Sequence, residues 1–350
     1  MTAPPTRPLS MTAQTAWQDL LRLLRDGAVA DLRGTPKTKT IRGRTYWFDQ
    51  YRVGAKVVER YIGEDTDDLR ARMERLRDLR ASQRDRERQQ ARLVRLLRAE
   101  GLVMPDLATG QLLTALSRAG TFRLGGTLVG TQAFRHYEGL LGVGYALDTA
   151  AQTDDLDIAS FERLSLALAD AGDRVEPDMQ DVLGDLEFDP LPSLDRGRTW
   201  RWRQTRQQTL VEFLTPSFDE AEGLRDLPAL GVSAQSLHFL NYLIAQPVQV
   251  PVLYRSGALI QVPRPERYAI HKLIVAERRR DGTEAAKSRK DRAQADLLIR
   301  HFAAEDPFLL ADTFDDAVAR GPSWRRKIEA SLARMPDAAR ALDAARAEAG

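Results

Sequence analysis

The chain has 350 residues, 43% of them apolar, which is enough for two packed domains and excludes a disordered protein. It has no cysteine, no apolar run of bilayer length and no hydrophobic centre in its first residues (MTAPPTRPLS). Disulfides and thiolate metal sites are therefore excluded, and a cytoplasmic protein is expected. The net charge of +2 hides three blocks: 23 Lys/Arg against 15 Asp/Glu over 1–120, 11 against 20 over 121–262, and 11 against 6 over 263–300.

In chain order, apolar positions at helical spacing predict a helix over 12–26. Residues 44–53 and 56–62 read as a hairpin around Gly54, with Tyr46, Phe48 and Tyr61 preceded by Lys37, Lys39, Arg42 and Arg44. Those aromatics could stack on nucleic acid, but hairpin packing accounts for them as well. Residues 67–100 form a charged helix with a narrow apolar stripe, weakened near 81–90, that could be a coiled-coil arm or a homodimer contact. A helix over 110–118, a strand at 122–124, a glycine pair and a helix from about Thr127 to Gly139 follow. A Gly-containing connection over 140–152 leads to a strand with Asp155 and Asp157. A helix over 161–171, a mostly irregular stretch over 173–198, paired strands at 199–203 and 209–214, and a hairpin of 248–254 with 258–262 come next. The pattern from Pro265 onward is helical, in segments 265–280, 284–302, 306–319 and 322–348.

The chemistry is expected between 121 and 214. Gly125 and Gly126 lack a Cβ, so their backbone N–H groups could close on a polyphosphate ahead of a helix, with Thr127 beside them. Asp155 and Asp157, one residue apart on a strand, point to the same face, while Leu156 and Ile158 point into the core. Asp154 points the other way by the same parity. Glu212 interrupts an apolar strand (TLVEFLTP) where a charge has no packing role, and is the candidate third carboxylate. Hard oxygen ligands of this kind suit Mg²⁺, two ions in all, with Mn²⁺ as an alternative. A phosphate cradle with paired carboxylates is what metal-dependent nucleotidyl transfer requires. Lys272, in an apolar helical turn, and Lys290, in a basic cluster with Lys287, Arg289 and Arg292, are candidate phosphate contacts. A solvated face paired with Asp291 and Asp296 is the alternative. His136, His238 and His271 have no metal-ligand spacing, and Trp200 and Trp202 suit packing better than base stacking.

The segment LLTALSRAGTFRLGGTLVGTQAFRHYEGLLGV followed by TDDLDIA resembles the DNA polymerase β-type superfamily of nucleotidyltransferases. Within it, the Gly-Thr-x-Ala-Phe helix and Thr-x-Asp-Leu-Asp strand resemble a bacterial nucleotidyltransferase-like family, and the likeness runs over about 100–302. The resemblance implies an α/β (α+β) core with a short mixed sheet, a helical C-terminal domain and an N-terminal hairpin-plus-long-helix module. The corresponding boundaries are 1–104, 105–262 and 263–350. It further implies that Gly125, Gly126 and Thr127 hold an NTP, and that Asp155, Asp157 and Glu212 bind Mg²⁺. Glu212 would also help deprotonate an acceptor hydroxyl, and Lys272 and Lys290 would contact phosphates. The acceptor favoured by the basic flanks is RNA, tRNA included, in a toxin-like setting. A protein or small-molecule hydroxyl, or an inactive nucleic-acid-binding protein on the same fold, is the alternative. Two departures stand out: a long gap from Gly126 to Asp155, and Glu where Asp is common at the third carboxylate.

Overall fold

A computed structural model describes residues 6–30, 32, 34–53, 56–145, 155–193, 195, 197–206, 209–218, 221–281 and 284–350. The turn expected at Gly54, most of the connection ending at residue 152, and Asp154 lie outside them.

The N-terminal part begins with a short strand, β1 (Thr6–Pro8), and a helix, α1 (Met11–Ala30). An antiparallel sheet follows: β2 (Thr35–Ile41), β3 (Arg44–Val53) and β4 (Lys56–Glu64). The expected hairpin is thus a three-stranded sheet, because Lys37–Ile41 alternates with threonines and extends as an edge strand along β3. Thr66 then caps α2 (Asp67–Glu74) by accepting from the Leu69 N–H at 3.2 Å. Helices α3 (Leu76–Ala81) and α4 (Gln83–Ala99) continue the charged segment, with breaks at Arg75 and Ser82. Its apolar stripe is used within the chain: Val94 and Leu97 of α4 join the main core on α1, and Leu79 packs with Val29 and Leu32 in a small second core.

The central part contains α5 (Leu107–Ala119), β5 (Thr127–Val129), α6 (Gly130–Phe134), α7 (Tyr137–Leu141), β6 (Val143–Tyr145), β7 (Leu156–Ala159) and α8 (Glu162–Asp170). It continues through α9 (Met179–Gly184), β8 (Phe188–Pro190), β9 (Arg201–Gln204), β10 (Leu210–Pro216), β11 (Leu224–Leu227), β12 (Val232–Leu237) and α10 (Leu240–Leu243). A mixed seven-stranded sheet runs β11-β12-β10-β7-β5, with β9 beside the start of β10 and β8 beside β9. Strand β10 is parallel to both β7 and β12, whereas β5, β9 and β11 run antiparallel to their neighbours. Two expectations change here: residues 122–124 form a turn rather than a strand, and the helix expected from Thr127 begins with strand β5. The stretch 173–198 is mostly irregular, as expected, with the short α9 and β8 inside it.

A hairpin of β13 (Val248–Val252) and β14 (Ala258–Val262) packs against α1, α5 and β5. Five helices close the chain: α11 (Pro265–Arg278), α12 (Ala285–Glu305), α13 (Pro307–Ala319), α14 (Pro322–Leu332) and α15 (Pro336–Ala349). Pro at the first helical position opens α11, α13, α14 and α15, where its missing N–H costs no hydrogen bond. Helix α11 is buried on nearly every side, Ile270, Leu273 and Ile274 completely. The main core runs without interruption from Leu9 to Ala345. The architecture is α/β, with a mixed-sheet core, an N-terminal sheet-and-helix module and a helical C-terminal region. Among the described residues no helix is long and apolar enough to cross a membrane.

Candidate active site

The carboxylates meet where β7 and β10 run side by side. Glu212 is the register partner of Asp157, and Asp155 precedes β7 by one residue. Neighbouring strands lie about 4.8 Å apart and alternate residues about 6.6 Å along one face, so the three residues occupy one corner of the sheet. Leu156 and Ile158 point the other way and are 1% and 0% exposed. That burial fixes which face the carboxylates take, since a slip of one residue would put the apolar pair in solvent.

The electrostatics match this crowding. Burial, then the charges of Glu212 and Asp155, push the Asp157 carboxyl up to about 7, with Arg279 and Lys272 opposing. Burial and Asp155 also raise Glu212, against Arg201, Lys287 and Arg279. The cations come from three places. Arg201 is Glu212's partner on β9, Lys272 and Arg279 lie on α11 and at its end, and Lys287 and Lys290 lie on α12.

Gly130 is the hinge of the site. It joins β5 to α6 at φ 67°, and a Cβ there would stand 2.5 Å from Asp157 Oδ2. Only glycine lets the backbone pass that close to the carboxylate at a left-handed φ. The Tyr268 hydroxyl shares its hydrogen between the Gly130 carbonyl (2.9 Å) and Gln294 Oε1 (2.8 Å), and Gln294 Nε2 reaches Thr131 Oγ1 at 3.4 Å. Helices α11 and α12 thereby fix the β5–α6 corner.

Gly125 and Gly126 stand elsewhere. The Gly126 N–H donates to the Thr121 carbonyl at 2.9 Å and that of Gly125 to the Phe122 carbonyl at 3.2 Å, inside the turn before β5. Their amides are spent, and a Cβ on Gly126 would meet the Thr121 carbonyl oxygen at 2.7 Å, so close packing of the turn accounts for the pair. Thr127 is a buried residue of β5, opposite Ala159. The glycine that approaches the carboxylates is Gly130. Its signal was the β-prone triplet Thr-Leu-Val followed by a second small pair, Gly130-Thr131.

Lys272 is not a free phosphate contact. Its ammonium is held by Asp291, which also takes Arg279 Nη1 at 3.1 Å and is fully buried. Burial alone would raise Asp291, but the two cations hold its carboxyl below the usual range. Lys290 is half-buried, and burial together with Lys272, Arg279 and Lys287 draws its pKa down. His271 is buried and pushed down to about 3, and His238 is bound to Glu222 at 3.0 Å. Trp202 packs edge-on against Phe213 in the core.

The donors fit a hard divalent cation chemically: all are carboxylate oxygens, burial and then their mutual repulsion lift Asp157, and neighbouring strands carry them. As the side chains stand, no three His, Asp or Glu groups converge enough to hold one ion among the described residues.

A family model described as nucleotidyltransferase matches residues 107–319, well over half of the chain, and the chain belongs to that family. It carries a nucleotidyltransferase-like domain of the polymerase β-type superfamily. Residues 17–71 match a separate family described as a domain of unknown function (DUF6788). Among solved structures the chain is similar to an antigenic nucleotidyltransferase-like protein from Paracoccidioides brasiliensis. The identity is 13% and the TM-score 0.38, covering 69% of this chain and 94% of that one. No curated protein matches the chain.

Proposed function

We propose that the protein transfers a nucleoside monophosphate from an NTP to an acceptor hydroxyl, RNA being the favoured acceptor, and releases pyrophosphate. The observation that carries this reading is the corner itself: Asp157 and Glu212 as register partners, Asp155 beside them, and Gly130 against Asp157. In this reading residues 105–262 form the catalytic domain, 1–104 an appended module and 263–350 a helical domain.

Asp155, Asp157 and Glu212 would hold Mg²⁺ or Mn²⁺, which when bound lowers the pKa of a hydroxyl and offsets phosphate charge. Glu212, with a raised pKa, accepts the proton of the acceptor hydroxyl. The acceptor oxygen forms a bond to the α-phosphorus as the bond to the β-phosphate bridging oxygen breaks, and pyrophosphate leaves. The backbone at Gly130 lies against this corner, where N–H groups of the β5–α6 turn would be the donors to the phosphates. Lys290, Lys287 and Arg279 offset the leaving group's charge. Lys272 acts through Asp291, fixing α11 against α12 and so placing Arg279.

One observation favours the second reading, a binding protein that keeps the fold without turnover: the carboxylates do not converge as they stand. Calorimetric titration of each NTP with and without Mg²⁺ separates the two. The catalytic reading expects Mg²⁺-dependent NTP binding that disappears in Asp155→Ala/Asp157→Ala. NTP binding indifferent to both the ion and the substitutions would sink it.

A further inference from the structure

The charged segment after the N-terminal sheet has a second face. Along α4, Arg84, Arg88, Arg92, Arg95 and Arg98 are all exposed. Their spacings of four, four, three and three residues keep them on one strip about 21 Å long at 1.5 Å per residue. The roll of the helix is fixed from the opposite side. There Val94 and Leu97 are buried, Arg86 donates to the Leu79 carbonyl at 2.7 Å, and Gln90 donates to the Leu23 carbonyl at 3.0 Å. The strip therefore faces outward on a firmly docked helix.

Among the described residues, little in the fold uses this charge. Like charges at three- and four-residue spacing destabilise a helix. No acidic residue occurs between Arg88 and Ala99, and among the described residues only Arg88 of the five has a carboxylate within ion-pair reach, Asp85 at 3.2 Å. The basic sheet differs, since Lys39 is paired with Glu59 and Arg44 with Glu64 at 3.8 Å. An extended row of guanidinium groups, four of the five without an ion-pair partner among the described residues, complements a linear polyanion, and arginine forks match phosphate geometry.

We propose that the α4 arginine strip is the docking surface for the phosphodiester backbone of an RNA. Its use in presenting an acceptor rests on the transfer reading above; the docking does not. A continuous stack leads inward from it. Helix α4 packs on α1, α1 on the β13–β14 hairpin, that hairpin on β5, and β5 pairs with β7 at Asp157. RNA bound on the strip is thus held by a helix that joins, through these contacts, the sheet that carries the carboxylates.

The test is fluorescence anisotropy of the full-length protein with a labelled single-stranded RNA of about 20 nucleotides, longer than the 4–16 nucleotide footprints of single-strand binders. It is run in EDTA without nucleotide, over a series of salt concentrations. Arg88→Gln/Arg92→Gln/Arg95→Gln keeps good helix formers on an exposed surface. Arg325→Gln/Arg326→Gln/Arg340→Gln, on exposed positions of α14 and α15, is the charge-matched control. Each phosphate contact to a single strand contributes about −0.7 to the slope of log K against log salt. The strip variant should therefore lose about 2 units of slope and bind about 100-fold more weakly near 0.1 M salt, with the control unchanged. The proposal is overturned if the strip variant binds like wild type, if the control loses as much, or if the wild-type chain leaves RNA free. Because metal and NTP are absent, binding is read apart from transfer: a wild-type chain that binds RNA through the strip here, yet transfers nothing once Mg²⁺ and NTP are supplied, would sink the catalytic reading and leave the docking intact.

Discussion

Replacing Gly130 by alanine tests where the nucleotide cradle lies, with Gly125→Ala as its partner. Both glycines have left-handed backbones, φ 67° and 90°, so each alanine carries a penalty of about 1–2 kcal/mol. An unfolding entropy of about 2.1 cal/mol/K per residue gives about 0.7 kcal/mol/K for a chain this long, so each variant should melt about 2 °C lower. The neighbours differ. At Gly125 the new methyl meets Leu164 Cδ2 at 2.5 Å, the flexible end of a side chain that is 39% exposed and can swing away. At Gly130 it meets Asp157 Oδ2 at 2.5 Å, and the oxygen must retreat by about 0.9 Å to reach 3.4 Å. A misplacement near 1 Å at a reacting centre costs about 100-fold in rate. Melting by differential scanning fluorimetry, beside NTP-dependent label transfer per folded molecule, should show similar melting losses and a gap of about 100-fold in transfer. Equal transfer in the two variants would refute the assignment of Gly130.

Other consequences follow from the same geometry. Raised to about 7, Asp157 binds more protons folded than unfolded, so its cost to stability is absent below about pH 4, grows as pH rises and is complete above about 7. In EDTA, Asp157→Asn should melt higher than wild type at pH 8 and equally at pH 4, and added Mg²⁺ should raise the wild type alone; a pH-independent difference counts against this. Asp291→Asn leaves Lys272 buried without its carboxylate and should cost about 3–5 kcal/mol in urea unfolding, a loss under about 1 kcal/mol contradicting the buried pair. Arg123 donates to Asp173 at 2.6 and 2.8 Å and to the Tyr61 carbonyl at 2.7 Å, tying β4 to the turn before β5. Arg123→Ala should speed limited proteolysis within 35–64 and leave the rest of the chain resistant; unchanged cleavage there would show the tie to be dispensable.

The strands that carry the carboxylates were legible because period-two burial leaves a strong mark. Leu156 and Ile158 alternate with aspartates, and Val211 and Phe213 flank Glu212, so one register satisfies both strands. The pairing of β9 with β10 and the β13–β14 hairpin were readable for the same reason. The turn before β5 was not. Phe122-Arg123-Leu124 looks like a strand by composition, yet Phe122 and Leu124 are buried within a turn closed by the Gly126–Thr121 hydrogen bond, a contact with no periodicity. Strands β11 and β12 were missed because Leu224–Leu227 sets two adjacent charges between its leucines, with no period of two, and Val232–Leu237 is rich in serine. Lys272 was legible as unusual but not as paired, since Asp291 is 19 residues away and reaches it only when α11 packs on α12. The arginine strip was visible as charge density, but its orientation depends on Arg86 and Gln90 binding backbone carbonyls of other helices.

The central claim is transfer at the Asp155–Asp157–Glu212 corner. The most direct test incubates the full-length protein with Mg²⁺, RNA and each of the four NTPs labelled at the α-phosphate, alongside Asp155→Asn/Asp157→Asn. Label entering RNA with the wild type, together with pyrophosphate release, and neither with the variant, is the predicted result. Label incorporated equally by the variant, or by neither protein with any NTP, would contradict the account.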